Sequence, residues 1–298
     1  MTEPAAGCPV TEPAVGRPVT EPDGPAPGTL LDLARAAAEE AGDLLVSRRG
    51  RVTVVQTKSS PTDVVTEMDK AAEALIRDRL LAARPGDAIL GEEGGETGAS
   101  QVRWIVDPLD GTVNYLYGLP GWAVSVAAEV NGVIVAGAVC VPLQRSLFTA
   151  TLGGGAWLES AWQDGPQRLA CNSGVALRDA LVATGFGYLS AQREAQGRVV
   201  AAVLPRVRDI RRAGAAAVDL CSVAAGRVDA YYEQGTHHWD IAAGGLICRE
   251  AGAVTGGLRG EEAGEAMTLA ASPALFADLR DLLAGLSADR LPPGWDNL

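Results

Sequence analysis

The chain has 298 residues, 47% of them hydrophobic, and its 25 Lys and Arg against 37 Asp and Glu give a formal net charge of −12 at pH 7. This length is enough for one large domain or two ordinary ones. An acidic surface repels nucleic-acid phosphates and anionic lipids, so the charge argues against both as partners.

The N-terminal segment has an unusual composition. Thr-Glu-Pro occurs three times, at 2–4, 11–13 and 20–22, and Pro, Gly, Ala and Glu dominate the first 28 residues. A segment with so little to bury cannot offset the entropy of ordering. We therefore expect a disordered tail over residues 1–28.

Helical periodicity begins after this tail. Apolar residues recur at helical spacing over 29–48, with Thr29 as the predicted N-cap, and a second helix is expected over 67–83, capped by Thr66. The other predicted helices cover 194–204, 215–225, 240–251 and 273–283.

Strand signals lie mostly in the middle of the chain. Asn131-Gly132 separates two apolar runs and predicts a β-hairpin with strands over 123–130 and 133–140. The other predicted strands cover 88–91, 103–106, 146–151, 156–159, 180–184 and 228–232.

The order of these elements predicts two lobes. A mostly antiparallel meander in the first half and alternating strands and helices in the second half indicate two packed sheet-plus-helix units. We expect an N-terminal lobe over 29–150 that carries a metal site and a C-terminal lobe over 151–298, with the join near 142–160.

The sequence carries little sign of zinc, disulfides or export. Five cysteines are scattered without CxxC or Cys/His spacing, which favours reduced thiols. His237 and His238 lack the i,i+4 spacing of a helical zinc site. No basic segment leads into an apolar one, and the longest apolar stretch is interrupted, so we expect a cytoplasmic protein without a membrane partner.

Acidic residues follow apolar runs at several places. Glu92 comes after Ala-Ile-Leu-Gly and Asp107 after Trp-Ile-Val, so both are expected at the carboxyl ends of strands. If these strands are neighbours, Glu92, Asp107, Asp110 and Asp240 converge and raise one another's pKa. Oxygen ligands without His or Cys favour Mg²⁺ or Mn²⁺ over zinc.

Residues 108–112, Pro-Leu-Asp-Gly-Thr, predict a phosphate site beside these metals. Pro108 is expected to force a turn that leaves the Leu109 carbonyl free as a further oxygen ligand. Gly111 allows close approach of the backbone, and the Gly111 and Thr112 amides would stabilise an anion at the start of a short helix.

Two of the acids have purely structural alternatives. Thr66-x-x-Asp69 fits a capping box at the start of the second helix. Asp240 could equally favour a helix N-terminus by its charge. For each of these acids the sequence leaves the structural and the catalytic interpretation open.

Four segments, in this order, resemble the motifs of the Mg²⁺-dependent, lithium-sensitive phosphatases of the inositol monophosphatase family. They are TKSSPTDVVTEMD (57–69), ILGEEGG (89–95), WIVDPLDGTVNY (104–115) and HHWDIAAGGLICREAGA (237–253). GAAAVDLCSVAAGRVDAYYEQG (214–235) also resembles the inositol-binding segment of the true inositol monophosphatases. The resemblance covers residues 29–285 and leaves out the tail.

The resemblance implies a fold, a reaction and partners. The fold is a five-layered αβαβα sandwich of the sugar-phosphatase type, a mixed α+β and α/β architecture. The reaction is hydrolysis of a small polyol phosphate monoester, preferably myo-inositol monophosphate, by water activated with two or three Mg²⁺ ions. Lithium sensitivity and a homodimer are implied as well.

The resemblance also implies a role for each matching residue. The first metal is expected on Glu92, Asp107 and the Leu109 carbonyl, and the second on Asp107, Asp110 and Asp240. Asp69 and Thr112 would orient the attacking water, and Glu92 would count among the catalytic residues. The implied substrate-binding residues are Leu109, Asp110, Gly111, Thr112, Gly214, Ala215, Ala216, Glu233 and Asp240.

Several alternatives share the metal chemistry. A phosphatase for histidinol phosphate is the first of them, because an amine would also suit Glu233; fructose 1,6-bisphosphate and 3′-phosphoadenosine nucleotides are others. The small wall at 214–216 favours a compact polyol over a nucleotide, which would want aromatic or arginine stacking groups. A non-catalytic regulatory protein with the same fold is the alternative from another class.

Overall fold

The structure is a computed structural model that describes residues 24–49, 54–57 and 64–290. Residues 1–23 of the predicted tail, residues 58–63 of the first motif and residues 291–298 lie outside the described residues. Within the described ranges, no helix combines the length and the apolar character needed to cross a bilayer.

Seven α-helices occur in the described residues: α1 (Pro27–Arg48), α2 (Glu67–Ala83), α3 (Thr112–Leu116), α4 (Ser190–Val203), α5 (Ala216–Ala224), α6 (His238–Glu250) and α7 (Pro273–Gly285). Short 3₁₀ helices lie at Pro142–Gln144, Leu177–Asp179 and Leu204–Arg206.

The strands form three sheets. A two-stranded sheet pairs β1 (Val54–Thr57) with β2 (Val64–Thr66). An eight-stranded sheet has the order β10-β9-β8-β7-β6-β5-β3-β4 and consists of β3 (Ala88–Gly91), β4 (Gly95–Thr97), β5 (Val102–Asp110), β6 (Ala123–Val130), β7 (Val133–Val141), β8 (Ser146–Thr151), β9 (Gly155–Ser160) and β10 (Gln167–Arg168). A five-stranded sheet has the order β12-β11-β13-β15-β14 and consists of β11 (Leu181–Thr184), β12 (Asp209–Arg211), β13 (Ala230–Glu233), β14 (Val254–Gly256) and β15 (Thr268–Ala271).

Three apolar cores hold these elements in five layers. The first core lies between α1, α2 and the outer face of the eight-stranded sheet. The second core contains α5 and α6 between the two large sheets. The third core lies between the five-stranded sheet and the outer helices α4 and α7. The predicted αβαβα sandwich is therefore confirmed.

Helix α1 begins two residues earlier than predicted. Its first residue is Pro27, and Thr29 is not the N-cap, since the cap position is Ala26. Proline suits the first helical position because its fixed φ is helical and its missing N–H has no partner there anyway. The buried face includes Leu30, Ala34 and Ala41, and its alanines let the helix approach the sheet closely.

The predicted hairpin and the second helix are confirmed. Strands β6 and β7 pair around Asn131 and Gly132, whose φ angles of 52° and 82° are the positive values that the tight turn needs. Helix α2 has the predicted bounds and the predicted Thr66 capping box. The eight-stranded sheet continues through β9 and β10 as far as Arg168.

Strand β5 is longer than predicted and contains a bulge. It runs to Asp110, with Asp107 opposite Ser125 and Asp110 opposite Ala123, so two residues face one on β6. Pro108 thus lies in a bulge and does not end the strand with a turn. A bulge leaves a residue unpaired, which is where a proline without an N–H is tolerated. The bulge brings both aspartates to the same end of the sheet.

Candidate active site

A cleft of about 770 Å³ is lined by residues from the end of the eight-stranded sheet and from the second half of the chain. The structure brings every predicted metal ligand and substrate-binding residue to this cleft. The predicted residues that line it are Glu92, Asp107, Leu109, Asp110, Gly111, Thr112, Gly214, Ala215, Ala216, Glu233 and Asp240. Of the predicted site residues, Asp69 alone is not part of the lining.

Parallel pairing of two strands brings Glu92 next to Asp107. Strand β3 pairs with β5 so that Gly91 lies opposite Val106. Glu92 and Asp107 are the residues that follow Gly91 and Val106 in the chain. The Glu92 amide continues the ladder by donating to the Val106 carbonyl over 3.2 Å. The two acids therefore leave the same edge of the sheet together.

Backbone amides donate hydrogen bonds to three of the carboxylates, those of Asp110, Asp240 and Asp107. The Ala217 amide, at the start of α5, donates to Asp110 Oδ2 over 2.6 Å. Asp240 lies in the first turn of α6, where its Oδ2 accepts from the His237 amide over 2.7 Å. The Leu109 amide likewise donates to Asp107 Oδ1 over 3.0 Å.

Asp69 performs two structural tasks at once. Its Oδ2 accepts from the Thr66 amide over 2.8 Å, which closes the capping box of α2. Its Oδ1 accepts from the Thr112 hydroxyl over 2.9 Å. The Thr112 hydroxyl also lies 3.1 Å from the Leu109 carbonyl. Asp69 is thus both a helix cap and the partner of a residue that lines the cleft.

Gly111 occupies a position that only glycine fits. Its φ is +90°, in the left-handed region, and it is the residue before α3. A Cβ there would lie 2.9 Å from the Gly121 carbonyl oxygen and 3.2 Å from Ala215 Cβ. The turn that offers the Gly111 and Thr112 amides therefore packs directly against the segment that begins α5.

The acids destabilise one another electrostatically. Burial raises the pKa of Asp107 well above its usual value, and the charges of Glu92, Asp110 and Asp240 raise it further. The Asp240 pKa is raised in the same way, first by burial and then by Asp110 and Glu92. Burial raises the Asp110 pKa to about 7 although the Ala217 amide opposes the shift. The four carboxylates therefore form a cluster in which both burial and mutual repulsion disfavour the charged forms.

The residues fit a hard divalent cation by their chemistry. As the side chains stand, no group of three or more His, Cys, Asp or Glu among the described residues is arranged to hold a metal ion; three carboxylates instead accept from backbone amides. The donors are all oxygens; Asp107 and Leu109 are buried, and Glu92, Asp110 and Asp240 are half-buried. The charges of Glu92, Asp110 and Asp240 add to the burial that raises the pKa of neighbouring acids. A cation of high charge is what relieves such a set, so we regard these residues as a fitting divalent-ion site.

The raised pKa values predict a stability that depends on pH and metal. An unfolded aspartate loses its proton near pH 4, whereas Asp110 retains it to about pH 7 in the fold. Between these values the folded state binds more protons, so its stability falls as pH rises. We expect the melting temperature of metal-free protein to be lower at about pH 8 than at about pH 6, and Mg²⁺ to raise it more at the higher pH.

Calorimetry with Mg²⁺, against KCl at matched ionic strength, checks this expectation. The salt control is needed because screening alone weakens repulsion between the acids. Equal stabilisation by Mg²⁺ at both pH values would contradict the coupling between protons and metal.

Glu233 lines the same cleft as the metal-type acids, and its charge adds to the burial that raises the Asp110 and Asp240 pKa values. The carboxylate lies at the end of β13, one residue beyond the predicted strand, and accepts from the Tyr231 hydroxyl over 2.8 Å. Burial raises its pKa, while that hydrogen bond and the Arg212 charge lower it. Gly214, with φ of +92°, and the small Ala215 and Ala216 leave room beside it.

Sequence reasoning missed several residues in and beside this cleft. Arg212 is the one Lys or Arg among the described lining residues. Phe186, Tyr188 and Trp239 also line the cleft, so stacking groups for a flat ring are present after all; of these three, Trp239 lies within a motif. Asp219 does not line the cleft but is buried beside it in α5: its Oδ2 has no hydrogen-bond partner among the described residues, and burial, with the Glu233 and Asp110 charges, raises its pKa to about 8.

The two histidines lie in different surroundings. The His237 ring stacks on Trp239 with centroids 4.9 Å apart and lies at the cleft. His238 Nε2 lies 3.4 Å from Glu129 Oε2. The two rings thus face different partners.

Comparison with known proteins places these observations in a family. Residues 27–289 match the model of the inositol monophosphatase family. An inositol-1-monophosphatase SuhB of Mycobacterium tuberculosis is 48% identical over 243 residues, which is 76% of this chain and 83% of that protein. A Nus factor SuhB of Vibrio cholerae is 39% identical over 229 residues, covering 76% of this chain and 84% of that protein.

A solved structure gives the same result for the fold. The structure of Mycobacterium tuberculosis SuhB aligns with a TM-score of 0.75 at 42% identity, covering 89% of this chain and 99% of that one. Both the sequence and the architecture of the described core therefore have close counterparts.

Proposed function

The chain belongs to the inositol monophosphatase family and is a phosphoric monoester hydrolase, and on this basis we propose that it releases phosphate from a small polyol phosphate. The preferred substrate is myo-inositol monophosphate, which would give myo-inositol and phosphate. One observation carries the proposal: a single cleft is lined by the metal-type carboxylates, by Glu233 and by the small residues at 214–216.

The proposed cofactor is Mg²⁺, with Mn²⁺ as the alternative ion. Glu92, Asp107 and the Leu109 carbonyl would hold one ion, and Asp107, Asp110 and Asp240 a second. Glu92 would also contribute to a third, weaker ion. Bound divalent ions supply a Lewis acid for the phosphoryl oxygens and lower the pKa of water.

Asp69 and Thr112 are proposed to orient the attacking water. When Thr112 donates its hydroxyl proton to Asp69 Oδ1, 2.9 Å away, a lone pair of its oxygen is free to accept from water. Burial raises the Asp69 pKa, which the bonds from Thr66 and Thr112 oppose. The dyad would thus fix the direction of the water and help to take up its proton.

The phosphate and the alcohol are proposed to occupy different parts of the cleft. The Gly111 and Thr112 amides would hold phosphate oxygens in the turn that Gly111 makes possible. Glu233 would accept hydrogen bonds from ring hydroxyls, beside the space at 214–216. The reacting phosphorus would then lie between the acids and the alcohol.

The cleft offers different support to the alternative substrates. A second phosphate, as in fructose 1,6-bisphosphate, would find one arginine, Arg212, among the described lining residues. Histidinol phosphate remains the nearest competitor because its amine suits Glu233. A nucleotide gains support from Phe186, Tyr188 and Trp239, contrary to the expectation that stacking groups would be lacking.

Further proposals concern the setting of the enzyme. We propose a cytoplasmic homodimer that lithium inhibits, as the family resemblance implies, and sedimentation at several protein concentrations tests the dimer. The charge of −12 supports a protein without nucleic-acid partners. The name Nus factor, given to relatives at 39% identity, keeps a regulatory role as the second candidate.

Phosphate release tests the proposed function. Purified full-length protein is assayed with and without Mg²⁺ on myo-inositol 1-phosphate, histidinol phosphate, fructose 1,6-bisphosphate and 3′-phosphoadenosine 5′-phosphate. We expect Mg²⁺-dependent release with the highest kcat/KM for inositol phosphate. Absence of release from every ester would overturn the proposal in favour of the regulatory role, and a preference for another ester would correct the substrate.

A further inference from the structure

Residues 185–189, between β11 and α4, form a wall of the cleft that lies outside all the sequence motifs. Within this 185–189 loop, Phe186, Tyr188 and Leu189 line the cleft. The loop packs directly on the alcohol-side acid: a Cβ added to Gly185 would lie 1.8 Å from Glu233 Oε2. Because no side chain fits between them, the position of the loop limits where the Glu233 carboxylate can lie.

Side chains of α4 hold the loop from behind. The Gly187 amide donates to Gln196 Oε1 over 3.0 Å. Gln196 is 8% exposed, and its Nε2 also donates to the Gln234 carbonyl over 3.4 Å. Since Gln234 follows Glu233 in the chain, one buried amide joins the loop to the strand end that carries the acid.

Arg193 adds a second, exposed attachment. Its Nη1 donates to the Tyr188 carbonyl over 2.5 Å and to the Gly187 carbonyl over 3.3 Å. Helix α4 therefore fixes the loop backbone at two consecutive residues.

A neighbouring glutamine lacks such bonds and serves as a comparison. Gln192 is 1% exposed and packs under the same loop, where a Cβ on Gly187 would lie 1.7 Å from its Oε1. Neither amide atom of Gln192 has a hydrogen-bond partner among the described residues. Gln192 thus packs beneath the loop without bonding to it and is itself one of the residues that line the cleft, whereas Gln196 makes the bonds that fix the loop.

On the basis of the proposed polyol phosphatase activity, we infer that Gln196 is a positioning residue for substrate selectivity. It fixes the 185–189 loop, and the loop fixes Glu233, the proposed acceptor for ring hydroxyls. The bonds of Gln196 go to Gly187 and Gln234 and not to Asp69, Thr112 or the metal-type acids. Loss of these bonds should therefore weaken polyol binding and leave the chemistry at phosphorus almost unchanged.

The test compares two esters in Gln196→Met, a substitution that keeps length and removes the amide. With Mg²⁺, we expect KM for myo-inositol 1-phosphate to rise about tenfold, since the half-buried Gly187 amide loses its acceptor, while kcat changes less than about threefold. For 4-nitrophenyl phosphate, which has no ring hydroxyls, kcat/KM should stay within about twofold of the wild type.

Arg198→Met is the control on the same helix, because Arg198 is exposed, donates to Glu194 over 2.8 Å and is not among the residues that line the cleft. It should leave KM for inositol phosphate within about twofold of the wild type. If Gln196→Met does not fold, the exposed Arg193→Met, which removes the other attachment, should raise the same KM without lowering kcat.

The outcomes separate this inference from the proposed function. An active wild type whose Gln196→Met variant keeps a normal KM, or loses kcat on both esters equally, would overturn the positioning role. Equal KM effects in Gln196→Met and Arg198→Met would assign the change to α4 in general and would also overturn it. A wild type that releases no phosphate from any ester would refute the proposed function itself.

Discussion

Asp110→Asn is expected to lower the rate of phosphate release by several orders of magnitude while the fold is retained. Asparagine keeps a side-chain oxygen that can accept a hydrogen bond from the Ala217 amide, which in the wild type donates to Asp110 Oδ2 over 2.6 Å. What the variant loses is the negative charge proposed to hold the second cation. Because burial raises the Asp110 pKa to about 7, removing this acid also removes a source of strain in metal-free protein.

Two measurements test this prediction. Turnover is followed over a Mg²⁺ titration, and melting temperature is recorded with and without Mg²⁺. Asp209→Asn is the control, since Asp209 pairs with Arg211 on an exposed strand and is not among the residues that line the cleft. Near-normal Mg²⁺-dependent turnover in Asp110→Asn would exclude Asp110 as a ligand.

Asp69→Ala is expected to lower kcat by roughly a hundredfold or more, because Thr112 then loses the partner that orients it. The same change removes the acceptor of the Thr66 amide and should cost about 1 kcal/mol of unfolding free energy. Both effects are expected because Asp69 Oδ1 and Oδ2 have different partners.

Thr66→Ala separates these two effects. It removes the hydroxyl that accepts from the Met68 amide over 3.1 Å and donates to Asp69 Oδ2 over 2.5 Å, so stability should fall by about 1 kcal/mol. The bond between Asp69 and Thr112 remains, so kcat should stay within about threefold of the wild type. Urea unfolding and steady-state kinetics give the two quantities. If both variants lost stability and kept kcat, Asp69 would be a helix cap alone.

Much of the site could be predicted because its acids adjoin elements with strong local signals. Glu92 and Asp107 end apolar runs, and Asp69 stands where a capping box fits. Those signals place each acid at the end of an element, and parallel pairing of β3 with β5 then brings two of them together. The pairing of these two strands is not predictable from the sequence, since periodicity does not tell which strands are neighbours.

Other features depend on contacts that the sequence does not encode locally. A proline after an apolar run reads as a turn, yet Pro108 lies in a bulge because β6 continues to pair beyond it. Strand β15 was missed because its core is alanine-rich, and alanine favours strands weakly. Asp219 and Gln196 are polar residues in helices, where a sequence pattern normally indicates solvent. Their burial follows from packing between layers.

The bond from Ala217 to Asp110 has a consequence for redesign. The start of α5, beside the proposed alcohol site at Ala215 and Ala216, is hydrogen-bonded through the Ala217 amide to Asp110, a proposed metal ligand. A bulkier or grafted segment at 214–217, introduced to admit a new alcohol, would pull on that acid as well. Substrate preference and catalytic activity therefore cannot be changed independently in this enzyme. Laboratory evolution toward larger esters should require paired changes, at 214–217 and around Asp110.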